Sequence, residues 1–216
     1  MKIVIAGSGG LIGSALLNLL LQDNKTDTVT ALVRRPLPVV HTKLKQLIID
    51  FDSLEKYREE IKGDVLFCAL GSTKKKTPNL ADYRKVDYDY PINLAKIAKQ
   101  NDIAQFHIVS ALGADVDSSN YYNHLKGEVE RDLKKLNLES LHIYQPSLLT
   151  GNRKENRPLE KAAIAVMRFI NPLLTGKLKK FRSIEAGKVA AAMLNQAHRN
   201  LKGIFVYSSD KIQKLS

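Results

Sequence analysis

The sequence predicts an α/β fold in which one parallel sheet is doubly wound, with helices on both faces. Short apolar segments alternate with segments whose apolar residues recur at helical spacing along most of the chain. A glycine-rich turn, GSGGLIG, separates the first apolar segment from the first helical one. Alternation of this kind is typical of parallel strands joined by right-handed helical crossovers.

We predict seven strands from short apolar segments bounded by polar or turn residues. They cover residues 2–6, 28–33, 47–49, 65–70, 105–110, 140–144 and 203–207. Helices are expected near residues 11–22, 54–61, 88–100, 122–136, 159–170 and 185–198. In the first helix the apolar residues recur in pairs four positions apart, so this helix buries one broad face.

The rhythm of strands and helices changes after Pro146, where the polar stretch TGNRKENRPLE begins. No linker-like segment separates this tail from the rest of the chain. We therefore expect one domain, residues 1–216, with a short helical appendage at residues 151–200 on the substrate side. The pattern RKENRPLE is explained either by a salt-bridged helix cap or by arginines that face an anionic substrate.

Composition limits the cellular location and the binding partners that we expect. The chain has 216 residues, a formal net charge of +12 and one cysteine, Cys68, which we expect in the core of its strand. A single cysteine and the absence of a recognisable leader predict a cytoplasmic location. No apolar run approaches the length of a transmembrane helix. The charge fits an anionic small molecule or surface, or simply a lysine-rich solvated surface.

Two classes of partner are not expected. The sequence has no recognition helix, zinc pattern or basic strand studded with aromatic residues, so nucleic-acid binding is not predicted. The five histidines show no ligand spacing, so no metal is assigned. The basic stretch KLKKFR near Lys177 is too short to assign to a membrane or a protein partner, and a homodimer remains possible.

The glycine turn predicts a pyrophosphate site. Its members are Gly7, Ser8, Gly9, Gly10, Leu11, Ile12 and Gly13. In a strand–turn–helix unit the first glycine permits a sharp turn, the second lets the backbone approach a phosphate, and the third allows close packing of helix and strand. The alternative is a tight turn that holds no ligand.

The residues after the second strand distinguish two dinucleotides. NAD-binding folds generally carry a carboxylate here, but this chain has Arg34 and Arg35. Two guanidinium groups suit a 2′-phosphate, so NADP(H) is favoured over NAD(H), unless the arginines are only solvated surface. After the third strand, Asp50 is placed to reach adenine and Phe51 to pack beside the ring.

The ends of later strands supply the rest of the predicted site. Ala69, Leu70 and Gly71 end the fourth strand, near the middle of the cofactor, and Pro146 ends the sixth. Strand ends of a parallel sheet meet at the edge where ligands bind. The lysine run KKK that follows the fourth strand steers an anionic cofactor or keeps a loop solvated.

Three residues carry the predicted chemistry. Ser110 ends the fifth strand, and Tyr122 and Lys126 follow at a four-residue spacing that places both on one helix face. A neighbouring ammonium favours the phenolate, so Tyr122 is expected to exchange a proton with a substrate oxygen while Lys126 tunes it. Ser110 is expected to polarise the carbonyl. Tyr121 competes for the role, but its partner four residues on is Leu125, which indicates packing.

The sequence resembles an atypical member of the short-chain dehydrogenase/reductase superfamily. The resemblance spans about residues 1–198 and rests on the glycine turn and on VRR, CALGST, VSALGAD, YYNHLKGEVE and GNRKENRPLE. It is closer to Tat-interacting-protein-like oxidoreductases and small epimerase-like proteins than to full-length sugar epimerases. The resemblance implies a Rossmann-type fold, NADP(H) in the cleft and a Ser110–Tyr122–Lys126 constellation.

Two departures from the family pattern leave the function open. The segment SALGAD lacks the double serine common in extended epimerases, and the C-terminal region is shorter than theirs. The first expectation is therefore an NADP(H)-dependent oxidoreductase acting on a small carbonyl or alcohol. A non-catalytic NADP(H) sensor is the alternative, and a nucleoside-diphosphate-sugar epimerase is a further one.

Overall fold

The computed structural model describes residues 1–72, 77–151, 171 and 174–216. A seven-stranded sheet forms the centre of this part of the chain, and every neighbouring pair of strands is parallel. In chain order the strands are β1 (Lys2–Ala6), β2 (Thr28–Val33), β3 (Leu44–Ile48), β4 (Val65–Cys68), β5 (Gln105–Val109), β6 (Ser140–Gln145), β7 (Leu149–Thr150), β8 (Ile184–Glu185) and β9 (Gly203–Ser208). The sheet order is β3-β2-β1-β4-β5-β6-β9, and β7 pairs with β8 separately.

Helices cover both faces of the large sheet. The α-helices are α1 (Leu11–Gln22), α2 (Leu80–Arg84), α3 (Tyr90–Gln100), α4 (Tyr121–Lys135), α5 (Ala186–Ala197) and α6 (Ser209–Leu215). Two 3₁₀ segments, Phe51–Glu60 and Gly176–Phe181, and a π-helical turn, Lys85–Asp89, complete the described secondary structure. No helix in these described stretches is long and apolar enough to cross a membrane.

The core has two layers, one on each face of the sheet. Ile3 and Ile5 of β1 pack toward α1 and α5, whereas Val4 and Ala6 pack toward α3 and α4. Because side chains alternate between the faces of a strand and both faces are covered, β1 reads as a continuous apolar run. This is why its bounds are visible in the sequence.

The sheet order also locates the ligand edge. After β1 the chain builds outward through β2 and β3, then returns to place β4 on the other side of β1. Two crossovers therefore leave β1 and β4 in opposite directions, which opens a crevice at their carboxyl ends.

The predicted fold class is confirmed, and three predicted elements have the predicted bounds: β1, α1 and β2. The other bounds shift by one or two residues, as at β4, which ends at Cys68 and not at residue 70, and two predicted elements differ more. β3 begins at Leu44, because an edge strand tolerates the exposed Lys45 that breaks its apolar pattern. Residues 51–60 form a 3₁₀ segment instead of an α-helix, with a break at Ser53.

Some elements of the structure were not predicted, and some predicted elements lie outside the described residues. The predicted helix at 88–100 is preceded by α2, capped by the Asn79 side chain, and by the π turn. The β7–β8 pair and α6 were not predicted. The helix expected at 159–170, the arginines of RKENRPLE and the KKK run lie outside the described residues.

Candidate active site

The glycine turn brings backbone against backbone at the carboxyl end of β1. Gly7 has a φ of +87°, and a Cβ there would lie 2.4 Å from the carbonyl oxygen of Ala69. A Cβ on Gly13 would lie 2.1 Å from the carbonyl oxygen of Gly7. A Cβ on Gly9 would meet only the Leu37 side chain, at 3.7 Å. Gly7 and Gly13 thus permit close packing, while Gly9 leaves space above the turn.

Ser8 gives a second sign that this turn is built for a ligand. Ser8 is buried, with 2% of its surface exposed, and its Oγ has no hydrogen-bond partner in the described part of the chain. A buried hydroxyl normally has a partner. Beside the amino end of α1, where backbone N–H groups favour an anion, a phosphate oxygen fits that need.

A cleft of about 1070 Å³ opens above the turn. Its walls combine residues 8–12 of the turn, residues 69–72 after β4, residues 109–112 after β5, two residues of α4 and residues 146–149 after β6. The structure therefore brings most of the predicted residues to one space, namely Ser8, Gly9, Gly10, Leu11, Ile12, Ala69, Leu70, Gly71, Ser110, Tyr122, Lys126 and Pro146.

The predicted adenine-side residues lie apart from this cleft. Arg34 and Arg35 directly follow β2 and are exposed. Asp50 caps the first 3₁₀ segment by accepting the Asp52 N–H at 3.0 Å. Phe51 is buried and packs on Tyr90, with ring centroids 5.4 Å apart, so its ring belongs to the core. Contacts from Asp50 and Phe51 to adenine remain a prediction.

Cys68 lies in the core of β4, as predicted. Burial raises the pKa of its thiol to about 11. The thiolate is the reactive form of cysteine, so this side chain stays inert near neutral pH.

Helix α4 points Tyr122 and Lys126 into the cleft. Asn120 caps the helix by accepting the backbone N–H of Tyr122 at 3.0 Å. A Cβ on Gly127 would lie 2.3 Å from the backbone of Asp115, so this glycine lets α4 press against the loop that follows β5. Tyr121 turns away and approaches the Leu80 carbonyl oxygen at 3.4 Å. Of the two tyrosines, Tyr122 is the one that lines the cleft.

Lys126 has a partner that the sequence pattern did not indicate. Its Nζ lies 2.9 Å from Oδ1 of Asp87, and the other carboxylate oxygen of Asp87 accepts the Ser72 N–H at 2.8 Å. Burial by itself lowers the pKa of Lys126, but the charge of Asp87 outweighs burial and raises it above the ordinary lysine value. Asp87 comes from the π turn, which no pattern in the sequence indicated.

Ser110 also has a partner that was missed. Its Oγ donates to Oε1 of the buried Glu130, at 2.5 Å. Gln145 donates to both oxygens of Glu130, at 2.9 and 3.0 Å. Glu130 stands four residues after Lys126 on the same helix face, so its spacing was a usable signal. The hydroxyl proton of Ser110 is directed at a carboxylate in this arrangement.

Fold and cleft together define a nucleotide-binding α/β domain of the short-chain dehydrogenase/reductase type. Residues 7–166 match the family described as NAD(P)H-binding, and the chain belongs to that family. It is 35% identical over 163 residues to Protein HTATIP2 of Rattus norvegicus, covering 74% of this chain and 67% of that protein. It is 32% identical over 201 residues to Protein FMP52, mitochondrial, of Eremothecium gossypii, covering 89% and 88%.

Solved structures share the fold at lower identity. MoeE5 in complex with UDP-glucose and NAD superposes with a TM-score of 0.70 at 18% identity, over 95% of this chain and 75% of that one. The oxidoreductase ylbE from Lactococcus lactis gives a TM-score of 0.69 at 20% identity, over 100% and 94%.

The expected cytoplasmic location was wrong. Relatives from Eremothecium gossypii, Aspergillus terreus and Candida albicans that align over most of this chain are named as mitochondrial proteins. A single cysteine indicates a reducing environment and does not distinguish between compartments of that kind, which is where the inference failed.

Proposed function

We propose that the protein is an NADP(H)-dependent oxidoreductase that acts on a small carbonyl or alcohol. One observation carries the proposal: a single cleft joins the glycine turn to Tyr122 and Lys126 of α4, and it includes the Ser8 hydroxyl, which has no hydrogen-bond partner among the described residues. The glycine turn and this hydroxyl suit a pyrophosphate, and the tyrosine and lysine suit proton transfer. Tyr122 and Lys126 line the same cleft and interact electrostatically, which supports a role in proton transfer.

When held in this cleft, NADP(H) would supply hydride chemistry at the substrate carbon. The residues of this chain do the rest of the work. Tyr122, which is 37% exposed at the cleft, donates a proton to the carbonyl oxygen during reduction and accepts one during oxidation. Positioned proton transfer of this kind contributes roughly 10²–10⁴-fold to a rate. Lys126 places a positive charge near the Tyr122 hydroxyl.

The preference for NADP(H) rests on Arg34 and Arg35, which are exposed at the carboxyl end of β2. Charge-assisted hydrogen bonds to a 2′-phosphate contribute about 1.5–3 kcal/mol each. We therefore expect calorimetric titration to give at least a tenfold weaker Kd for NADPH in Arg34→Ala/Arg35→Ala, with an unchanged Kd for NADH.

The matched control removes two charges elsewhere. Arg199 and Lys202 are exposed near the amino end of β9, at the opposite edge of the sheet. Arg199→Ala/Lys202→Ala should bind both nucleotides like the wild type. Equal weakening by both double variants would mean that only net charge matters, and binding of neither nucleotide by the wild type would refute the proposal.

One observation favours the second candidate, a non-catalytic NADP(H) sensor. Because the Ser110 hydroxyl donates to Glu130, its proton is engaged with a carboxylate and not offered to a substrate oxygen. A sensor binds NADPH with the same arginine dependence but gives no turnover with any carbonyl panel. The epimerase alternative is supported by fold likeness alone, at less than 25% identity.

A further inference from the structure

One part of the cleft lining, which we call the apolar wall, consists of hydrocarbon side chains. Its members follow β5 and β6 or end the second 3₁₀ segment, namely Ala111, Leu112, Pro146, Leu148, Leu149 and Phe181. Pro146 is buried, but the Phe181 ring is 46% exposed at the cleft. Sites for small molecules are lined mainly by apolar and aromatic side chains, with few polar groups. The apolar wall therefore has the character of a ligand-binding surface.

Hydrogen bonds hold the segments of the apolar wall together. The Leu112 N–H donates to the Pro146 carbonyl oxygen at 3.0 Å, which joins the segments after β5 and β6. The Ser147 hydroxyl donates to the carbonyl oxygen of Arg182, the residue directly after Phe181. The second contact ties the end of the 3₁₀ segment to the segment after β6. The apolar side chains are thus presented by a surface that the fold itself assembles.

The apolar wall lies on the side of the cleft away from the glycine turn. The turn follows β1, and most members of the wall follow β6. In the sheet, β4 and β5 stand between these two strands, so β1 and β6 are about 14 Å apart. A nucleotide whose pyrophosphate lies at the turn therefore leaves the wall for a second molecule. Tyr122 lines the same cleft, so that molecule is the substrate of the proposed reaction.

The polar groups of the lining near the wall are engaged within the protein. Oγ of Ser110 donates to Glu130. Asp87 and Lys126 are the charged side chains among the described residues that line the cleft, and they pair with each other at 2.9 Å. A charged group that displaced water from the apolar wall would lose hydration without gaining a partner there. The wall therefore favours an uncharged hydrocarbon chain.

We propose that the substrate is an uncharged aliphatic aldehyde or ketone, or the matching alcohol, and that its hydrocarbon chain lies along the apolar wall against Phe181. The identity of the reacting group rests on the proposed function. The binding of a hydrocarbon chain by the wall does not, so the two are measured separately.

The first test measures binding alone, by calorimetric titration of the nucleotide-free protein with the primary alcohols butanol, hexanol and octanol. Each methylene group that leaves water on binding lowers Kd, so octanol should have a Kd at least about tenfold lower than that of butanol. Phe181→Ser should reduce this ratio at least about threefold, and Phe181→Leu, which keeps an apolar side chain, should retain most of it.

Leu178→Ser is the matched control for this titration. Leu178 lies in the same 3₁₀ segment and is 51% exposed, but it is not among the residues that line the cleft. The variant should keep the full ratio between butanol and octanol. Equal Kd values for the three alcohols, an equal loss in Phe181→Ser and Leu178→Ser, or a lower Kd for octanoate than for octanol would each overturn the inference.

The second test measures turnover with NADPH. Octanal should have a kcat/KM at least about tenfold higher than that of butanal, because its longer chain covers more of the wall. Succinic semialdehyde, a four-carbon aldehyde with a carboxylate, should be a poorer substrate than butanal. Turnover that does not depend on chain length would overturn this inference and leave the proposed function intact. A chain-length dependence of binding with no turnover of any aldehyde would refute the proposed function and the substrate assignment, and would leave the wall as a hydrocarbon-binding surface.

Discussion

Two polar clusters lie on neighbouring strands and helices of this protein, yet they are built in opposite ways. The cleft cluster consists of Asp87, Tyr122 and Lys126, and it is charged and open to the cleft. The core cluster consists of His107, His142, Tyr144 and Tyr207, and it is closed within the sheet layer. The first holds its charge with an ion pair, and the second avoids charge.

The core cluster is held by neutral hydrogen bonds and ring stacking. The His107 and His142 rings are parallel, with centroids 4.2 Å apart. Nδ1 of His107 lies 3.1 Å from the Tyr144 hydroxyl, and Nδ1 of His142 lies 3.0 Å from that of Tyr207. Burial lowers the pKa of His142 to about 4 and that of His107 well below its ordinary value. Two protonated rings at this distance would repel each other, and burial also disfavours a charge on either ring.

The difference predicts opposite pH responses. A histidine with a depressed folded-state pKa contributes stability above its unfolded value of about 6.5, and that contribution is lost as the pH falls. Lys126 has a raised pKa, so its contribution is present below the unfolded lysine value and is lost only as the pH rises through the folded value. The core cluster therefore weakens the fold in acid, and the cleft cluster weakens it in alkali.

The largest expected effect comes from breaking the ion pair. Lys126→Met leaves Asp87 buried, with the Ser72 N–H as its remaining hydrogen bond among the described residues, which should lower the free energy of unfolding by about 3–5 kcal/mol. Adding Asp87→Asn removes the unpaired charge and should restore part of that loss. Urea denaturation measures both. Lys134→Met, at a half-exposed position on the same helix, should change stability by less than about 0.5 kcal/mol.

An equal and small loss in Lys126→Met and Lys134→Met would contradict this comparison. It would mean that water reaches the Asp87 carboxylate well enough to replace the ammonium. The cleft cluster would then be a solvated surface pair and not a buried one.

The next effect is the acid response of the core cluster. Between about pH 5.5 and 4.5 the unfolded chain binds protons on both histidines and the folded chain does not. Unfolding should therefore become easier by up to about 2.7 kcal/mol per pH unit, which is two protons at about 1.36 kcal/mol each. Carboxylates contribute mainly below this window, since their unfolded values lie near 4.

His142→Gln removes one of the two titrating groups and should halve that slope to about 1.4 kcal/mol per pH unit. The exposed His41 provides the control, since His41→Gln should leave the slope unchanged. Urea unfolding at four pH values gives the slope directly. A slope in His142→Gln equal to that of the wild type would show that His142 is already protonated in the fold.

The two clusters also show which site residues can be predicted from the sequence. Tyr122, Lys126 and the glycine turn were predicted because their relation is local: a four-residue helical spacing and a strand–turn–helix unit. Glu130 continues the same spacing and could have been found. Asp87 could not, because it comes from a distant segment and is presented by a π turn. Phe51 shows another limit, since burial against Tyr90 could not be predicted from an aromatic residue at a strand end, and its contact with adenine stays a prediction.

The smallest effect sharpens the comparison by making one substitution in both clusters. Tyr207→Phe removes a hydroxyl that lies 3.0 Å from His142 and 3.2 Å from Gln196, and should lower stability by about 1–2 kcal/mol. Tyr122→Phe, at an exposed position, should change stability by less than about 0.5 kcal/mol. The effects on turnover should be in the opposite order. With a carbonyl substrate and NADPH, Tyr122→Phe should lower kcat at least about 100-fold, whereas Tyr207→Phe should change kcat little. If both variants lost activity in proportion to stability, the hydroxyl of Tyr122 would have no role of its own in proton transfer, and the cleft would be better explained as a binding site without chemistry.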